Sequence, residues 1–222
     1  MTQPEIEIRR AWRHIAGHQH DGYIDNLLIR HREPQRHYHT LTHVMWVLRH
    51  LHDLASASAR EPSAELFAAA LYHDAIYDPR AVDNEARSAD LATRELSEIG
   101  WPAEQGTAVE ALIIATAGHI AADTSPFAGR EIGDELAMLL DADLAILGAE
   151  PAAYIAYVHG VRAEYVHVDD GAWRSGRARI LQQFLDRPRL FATEYMHAAR
   201  EHRARANITA ELAGLDDEST ER

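Results

Sequence analysis

Residues 36–43 read RHYHTLTH, which places three histidines at the start of a segment with helical periodicity. His39 and His43 are four residues apart, so on a helix they share one face. His43 borders an apolar side that is formed by Val44, Val47, Leu48 and Leu51. Histidine has only middling helix propensity, so we expect a chemical role for this pair rather than a structural one. The other nearby histidines lie in more polar surroundings and are expected to be solvated: His37, His50 and His52.

Outward from this segment, the sequence reads as one helix after another. Breaks between the periodic runs coincide with helix-stopping or turn-forming residues, among them Gly100-Trp101-Pro102 and Glu150-Pro151. No strand alternation, internal repeat or Gly/Ser linker interrupts the pattern. The sequence therefore predicts an all-α fold, a single-domain helical bundle over residues 1–213, followed by a charged, frayed tail at 214–222. The predicted helices span 4–16, 22–30, 40–56, 64–74, 85–99, 103–119, 132–147, 151–166, 173–186 and 193–212.

Composition excludes several classes of function. The chain has 222 residues with 22 basic and 35 acidic side chains, a formal net charge of −13, which disfavours nonspecific nucleic-acid binding. It contains no Cys, and every basic residue is Arg, so thiolate sites, lysine-based covalent catalysis and Walker-type loops are excluded. With no signal-peptide pattern and no long apolar run, we expect a cytoplasmic protein without a membrane partner.

A carboxylate interrupts the apolar stripe of the segment 136–147, LAMLLDADLAIL. At 100° per residue, Asp143 falls in the middle of the face that the leucines form, whereas Asp141 points well away from it. A carboxylate that faces a core needs a partner, because an unpaired buried charge is very costly. Asp143 is therefore either part of a buried ion pair or cap, or a metal ligand.

Two further segments bring polar groups to apolar faces. The alanine-rich segment 66–74, LFAAALYHD, delivers His73 and Asp74 together near its end, either as a hydrogen-bonded pair or as metal ligands. In the segment ending IIATAGH, Thr116 and His119 lie on the same stripe as Val109, Leu112 and Ile113. With the segments of His43 and Asp143, four predicted helices turn such groups inward. Convergence on one pocket is the simplest explanation.

The order His43, His73-Asp74 and Asp143 resembles the H…HD…D ligand set of the HD superfamily of metal-dependent phosphohydrolases. The similarity to the bacterial group of predicted HD phosphohydrolases spans about residues 36–207. It includes the segments LYHDAIYDPRAVDNEARSA, IIATAGH, LLDADLAILG, VRAEY and SGRARILQQFL. The resemblance implies an all-α helical bundle. It also implies that His43, His73, Asp74 and Asp143 bind one divalent metal ion, which could be Mn, Fe, Co, Ni, Zn or Mg.

The segment YHTLTH is also similar to the YHN-x-x-H segment of class I cyclic-nucleotide phosphodiesterases. By that similarity, His43 is a metal ligand and His39 is the general acid that protonates the leaving oxygen. After the His-Asp pair, however, this chain reads HDAIYDP and lacks the additional Asp-His pair of those enzymes. A cyclic-nucleotide substrate is therefore not implied.

The resemblance also suggests roles for residues around the ligand set. Glu85 would orient or deprotonate water and Asn84 would contact substrate, although Asp83 or Asn84 could equally act only as a helix cap. Arg36 would bind phosphate, although a surface arginine without that role is the common case. The other parts of the chain that are expected to contact the substrate are Tyr38, Thr116, His119 and a rim or lid loop at about 120–131.

The predicted function is metal-dependent hydrolysis of a phosphate ester of a small molecule, with a nucleotide as the expected substrate, by metal-activated water. One alternative is a helical metal-binding or regulatory module without turnover. A second is an HD-type di-iron oxygenase, which needs an additional pair of histidines, and only His119 is an obvious candidate. A small phosphorylated substrate is the expected partner, and a homodimer is the default expectation for assembly.

Overall fold

The computed structural model of the protein describes residues 1–118 and 130–220. Within them every regular element is helical and no strand occurs, so the predicted all-α fold is confirmed. Short 3₁₀ turns lie at His18–His20 and Ala145–Gly148. The α-helices are α1 (Gln3–Ala16), α2 (Asp21–Arg30), α3 (Leu41–Ser58), α4 (Ala64–Tyr72), α5 (Asn84–Glu98), α6 (Ala103–Thr116), α7 (Arg130–Leu144), α8 (Pro151–Glu164), α9 (Asp170–Leu185) and α10 (Glu194–Thr220).

The helices begin where the sequence offers capping residues. The side chains of Thr40, Ser63 and Asp169 accept hydrogen bonds from the first turns of α3, α4 and α9, and Pro151 occupies the first turn of α8. These groups satisfy backbone donors that have no partner within the helix. In none of the described helices is there an apolar stretch long enough to cross a bilayer.

Two helix ends differ from the sequence-based boundaries. Helix α4 ends at Tyr72 rather than at residue 74, so His73 and Asp74 lie in a turn and not on the helix. Helix α10 continues to Thr220, past residue 213. The structure divides into two compact units, Met1–Asp143 and Leu144–Arg222. The domain limits 1–213 and 214–222 stay a prediction.

Helix α4 is the centre of the first unit. It packs against α1, α3, α5 and α6, and every residue from Leu66 to Tyr72 is buried. Three consecutive alanines, Ala68 to Ala70, leave room for neighbouring helices on all sides. The Tyr72 hydroxyl donates a 2.7 Å hydrogen bond to the buried Glu95 carboxylate on α5, so the polar end of this fully buried ring is satisfied. A rigid, buried α4 therefore fixes the position of the turn that follows it.

In the second unit, α10 packs against the 3₁₀ turn Ala145–Gly148 and against α9. The Asn207 amide donates to the carbonyls of Leu147 and Ala149, at 2.8 and 2.9 Å. A Cβ atom on Gly148 would lie 2.6 Å from the Cβ of Arg200, so only glycine allows this close approach. The close approach of α10 therefore explains why the LLDADLAILG segment ends in a glycine.

Candidate metal centre

Two histidines and an aspartate from three separate segments meet in the first unit. His43 lies in the first turn of α3, His73 follows directly after α4, and Asp143 lies in the last turn of α7. One ligand atom from each residue lies within 4.8 Å of the other two. Because imidazole and carboxylate are ligands for divalent metals, His43, His73 and Asp143 could hold a metal ion.

The interatomic distances fit a shared cation. The Nε2 atom of His43 lies 3.1 Å from Nε2 of His73 and 3.2 Å from Oδ1 of Asp143. The Oδ2 atom of Asp74 lies 3.3 Å from Nε2 of His43 and 3.2 Å from Nε2 of His73. Ligand atoms about 2.0–2.1 Å from an ion at tetrahedral angles would be about 3.3 Å apart. The structure thus brings together all four residues that the resemblance assigns to the metal.

A hydrogen bond fixes the orientation of the His73 ring. Its Nδ1 atom lies 3.0 Å from the carbonyl oxygen of Ala70, one turn earlier on α4. A carbonyl can only accept, so Nδ1 donates and Nε2 faces the cluster. Metal-binding histidines usually donate their second ring nitrogen in this way, because the bond selects the tautomer that leaves a lone pair for the ion.

The electrostatics of the cluster favour positive charge between its carboxylates. Burial alone would lower the pKa of His43, but hydrogen bonds and charge from Asp143 and Asp74 outweigh it and raise that pKa to about 10. Burial opposes and Asp74 favours the charged form of His73, whose pKa is also raised. The pKa of Asp74 lies well below its usual range, because the neighbouring histidines outweigh the effect of burial. Protons on the histidines, or a cation, balance the two carboxylates.

Asp141 does not point away from the core as the helical-wheel argument predicted. It is 1 % exposed, whereas the Asp143 side chain is 9 % exposed. Both sides of α7 are therefore covered near its end, so burial does not distinguish the two carboxylates. Proximity does, because Asp143 and not Asp141 belongs to the group with His43 and His73.

His39 lies beside the cluster, although not for the predicted reason. Thr40 is the N-cap of α3, so His39 precedes the helix and shares no helix face with His43. Their rings are nevertheless 5.6 Å apart, and the His39 ring packs on Tyr77 with centroids 4.3 Å apart. Tyr38 contacts both rings, at 4.9 Å from His39 and 5.0 Å from His43. Because the His39 ring is half-buried, a ligand next to the cluster could reach it.

Arg36 is more deeply buried than a surface arginine would be. Its side chain has no exposed area, and its guanidinium donates to main-chain carbonyls both before α3 and after α4. A contact with phosphate would require the guanidinium to leave these carbonyls. The predicted phosphate contact stays a prediction.

The residues at the start of α5 do not form a simple helix cap. Asp83 occupies the N-cap position, but its side chain makes no capping hydrogen bond. The Asn84 amide instead accepts from the Asp78 backbone N–H at 3.0 Å and donates to the Asp78 carbonyl at 2.8 Å. Glu85 is half-buried in the first turn of α5 and forms no hydrogen bond or ion pair with the described residues. The roles predicted for Asn84 and Glu85 stay predictions.

Thr116 is buried at the end of α6, and its hydroxyl donates a 2.7 Å hydrogen bond to the Ile113 carbonyl of the same helix. That bond uses its donor locally, so only its acceptor capacity remains for a substrate. His119 and the segment 120–129 lie outside the described residues.

Two residues near the cluster were not singled out from the sequence. His31, at the end of α2, is buried; burial and the charge of Arg36 lower its pKa to about 3. Its Nδ1 donates a 3.0 Å hydrogen bond to the Leu27 carbonyl, and its Nε2 has no hydrogen-bond partner among the described residues. Ser88 is fully buried and bonds to both backbone groups of Ile76. Only the periodicity of α5, which turns Ser88 inward with Leu91, signalled its burial.

The expectation that His50 is solvated is wrong. It is 9 % exposed and stacks on the ring of Trp46, with centroids 5.8 Å apart. A neighbouring indole on the same helix covers the imidazole, which a reading of side-chain polarity does not reveal. His37 and His52 are exposed, as predicted.

A surface cavity of about 680 Å³ lies elsewhere in the first unit, and none of the four cluster residues lines it. Its walls include Glu61, Glu65, Glu104 and Glu135, together with Arg60, which forms an ion pair with Asp134. This concentration of carboxylates is unsuited to a phosphate ester. The cavity therefore does not compete with the cluster as a phosphate site.

No protein-family model matches the chain, and neither the curated proteins nor the solved structures include one with significant similarity to it. The fold and the site therefore define it only as an all-α protein whose His43–His73–Asp143 group could hold a metal ion.

Proposed function

We propose that the protein is a metal-dependent phosphohydrolase that cleaves a phosphate ester of a small molecule, with a nucleotide as the first substrate class to test. The observation that supports this proposal is the group of His43, His73 and Asp143, which could hold a metal ion, together with an Asp74 carboxylate that lies 3.3 Å from Nε2 of His43 and 3.2 Å from Nε2 of His73.

The four residues would hold one divalent ion as two imidazoles and two carboxylates. When bound, such an ion supplies Lewis-acid polarisation of a phosphoryl oxygen and lowers the pKa of water to about 7. Two carboxylates would leave the ion with little net charge, which favours release of an anionic product. The hydrogen bond from His73 to Ala70 keeps one imidazole in the tautomer that this role requires.

Among the described residues, His39 is the best placed to move a proton. Its half-buried ring lies against Tyr77 and 5.6 Å from the His43 ring, so it is next to the proposed ion without belonging to the closest ligand group. Protonated His39 would donate to the leaving oxygen of the ester as that oxygen gains charge. Glu85 would accept a proton from the attacking water.

The test is hydrolysis of esters by protein that has been reconstituted with each candidate metal, followed by chromatography of the products and, for the monoesters, by release of phosphate. The panel contains nucleoside mono-, di- and triphosphates, sugar phosphates and cyclic dinucleotides. Asp143→Asn serves as the active-site variant, and Asp134→Asn, an exposed aspartate on the same helix, serves as the matched control. We expect turnover by the wild type and the control, and none by Asp143→Asn. A wild type that binds metal and hydrolyses no ester of the panel would instead be a metal-binding module.

A further inference from the structure

The turn that follows α4 is held on one side by two consecutive residues, Gln35 and Arg36, whose side chains donate hydrogen bonds to its backbone carbonyls; the Arg36 guanidinium also lies 5.4 Å from the centroid of the Tyr77 ring. Arg36 donates to the carbonyls of Asp74 and Ala75, at 2.8 and 3.2 Å, and Gln35 donates to that of Tyr77 at 3.2 Å. These hydrogen bonds use backbone carbonyls of the turn, while the Asp74 carboxylate lies 3.3 Å from Nε2 of His43 in the cluster. The turn therefore has a fixed course without using the carboxylate of Asp74 for its own support.

The same guanidinium also holds the segment before α3. One nitrogen, Nη1, donates both to the Asp74 carbonyl and, at 3.1 Å, to the carbonyl of His39. Glu33 lies 3.3 Å from Nε and balances the buried charge. The five donors of a guanidinium are spread over three nitrogens in a fixed plane and can reach carbonyls of separate segments, whereas the three donors of a lysine all leave from one nitrogen. Arg36 thus ties a proposed metal ligand and the proposed proton donor to one rigid group.

Helix α5 holds the turn from the other side. The Ser88 hydroxyl accepts from the backbone N–H of Ile76 at 2.9 Å and lies 3.3 Å from the carbonyl of the same residue. Asn84 forms the equivalent pair of bonds with Asp78. Ser88 and Asn84, one helical turn apart, thus satisfy backbone groups of the turn that would otherwise bond to a neighbouring strand or within a helix. Arg36 holds the same turn from the side of the cluster, through the carbonyls of Asp74 and Ala75.

We propose that Arg36 is a positioning residue that keeps His39 and the His73–Asp74 turn in register with each other. The inference rests on the metal binding of the proposed function but not on the identity of the reaction. Arg36 touches no ligand atom of the cluster in these contacts and acts through main-chain carbonyls. Groups that orient metal ligands from behind typically contribute 10–100-fold to metal affinity.

The experiment compares Co²⁺ binding by the wild type, Arg36→Met, Arg36→Lys and Arg32→Met. Arg32 is the matched control, an arginine four residues away that pairs with Glu5 at the surface. Circular dichroism establishes that each variant is folded, and titration measures the Co²⁺ dissociation constant and the visible d–d spectrum. The spectrum reports ligand geometry, which a general loss of stability would not change in the folded fraction.

We expect Arg36→Met to bind Co²⁺ about 10–100-fold more weakly with an altered spectrum. Arg36→Lys should be intermediate, and Arg32→Met should match the wild type. Partial recovery of Arg36→Met by millimolar methylguanidinium would support the assignment further. A folded Arg36→Met with wild-type affinity and spectrum would overturn it; if that variant does not fold, the same result in Arg36→Lys does so.

The outcome is separable from that of the proposed function. If the wild type binds Co²⁺ but hydrolyses no ester, the proposed hydrolase function is refuted. The Co²⁺ titration of the Arg36 variants still tests the role of Arg36 in that case. A wild type that binds no Co²⁺ overturns both proposals. Where turnover is found, a positioning role predicts a loss in kcat with KM little changed, whereas direct phosphate binding predicts a rise in KM.

Discussion

Metal affinity should increase steeply with pH, because an incoming ion must displace a proton from His43. Asp143 and Asp74 raise the pKa of His43 to about 10, so its imidazole is protonated throughout the neutral range in the absence of metal. An ion binds only the neutral imidazole, and binding therefore releases that proton. Asp74, with a pKa well below its usual range, is ionised already and releases none.

The magnitude follows from this position of the pKa. Between about pH 6.5 and 8.5 the neutral fraction of His43 rises tenfold per pH unit, so the apparent dissociation constant should fall about 100-fold over the interval. The raised pKa of His73 adds a second displaced proton wherever that ring is also charged, which makes the dependence steeper still.

The metal-free protein should show the opposite dependence in its stability. The folded-state pKa of His43 exceeds its ordinary value of 6.5, so its stabilising contribution is complete below pH 6.5 and is lost as pH rises through about 10. In that window the free energy of unfolding should fall by about 1.4 kcal/mol per pH unit. His43→Gln should flatten the curve, whereas His52→Gln, at an exposed position of the same helix, should not.

Isothermal titration calorimetry in two buffers of different ionisation enthalpy counts the released protons, and competition with a chelator extends the range of affinities. We expect at least one proton per bound ion near pH 7.5. A dissociation constant that is independent of pH, together with no proton release, would refute the assignment of His43 as a ligand that is protonated before the metal binds.

Three further outcomes test the same site. Asp143→Asn should lose bound metal, as measured by elemental analysis, whereas Asp141→Asn should lose stability and retain metal; equal metal loss from both would contradict the ligand assignment. Chelation should lower the melting temperature, because an ion that binds only the folded state stabilises it by mass action; an unchanged melting temperature would place the ion elsewhere. His39→Ala should keep its metal and lose about 10²–10⁴-fold in turnover, with less effect on activated nitrophenyl esters. His43→Ala should lose metal and turnover together, and a metal-free His39→Ala would show that His39 is itself a ligand.

The helices and the residues of the cluster could be singled out from the sequence because their signals are local. Periodicity depends on 3.6 residues per turn, and helix starts depend on residues such as Ser63 and Pro151, whose effects reach only one turn. Asp143 is conspicuous because a carboxylate within a run of leucines requires a partner, and His73-Asp74 because the pair follows an alanine-rich helix. These features predict that the groups face inward, and the order His43, His73-Asp74 and Asp143 suggests one shared site.

The remaining features depend on neighbours that one helix cannot reveal. A helical wheel describes the faces of α7 but not what covers each face, so the burial of Asp141 could not be predicted. His39 reaches the cluster through the course of the chain before the N-cap, and the indole of Trp46 covers His50. Arg36 bonds to carbonyls 38 and 39 residues away, and carbonyls carry no residue identity that a sequence pattern could match. The sequence by itself therefore determined the helices and singled out His43, His73, Asp74 and Asp143, because those signals are local, and only the tertiary structure decided which other polar groups are buried and how the backbone holds the cluster in place.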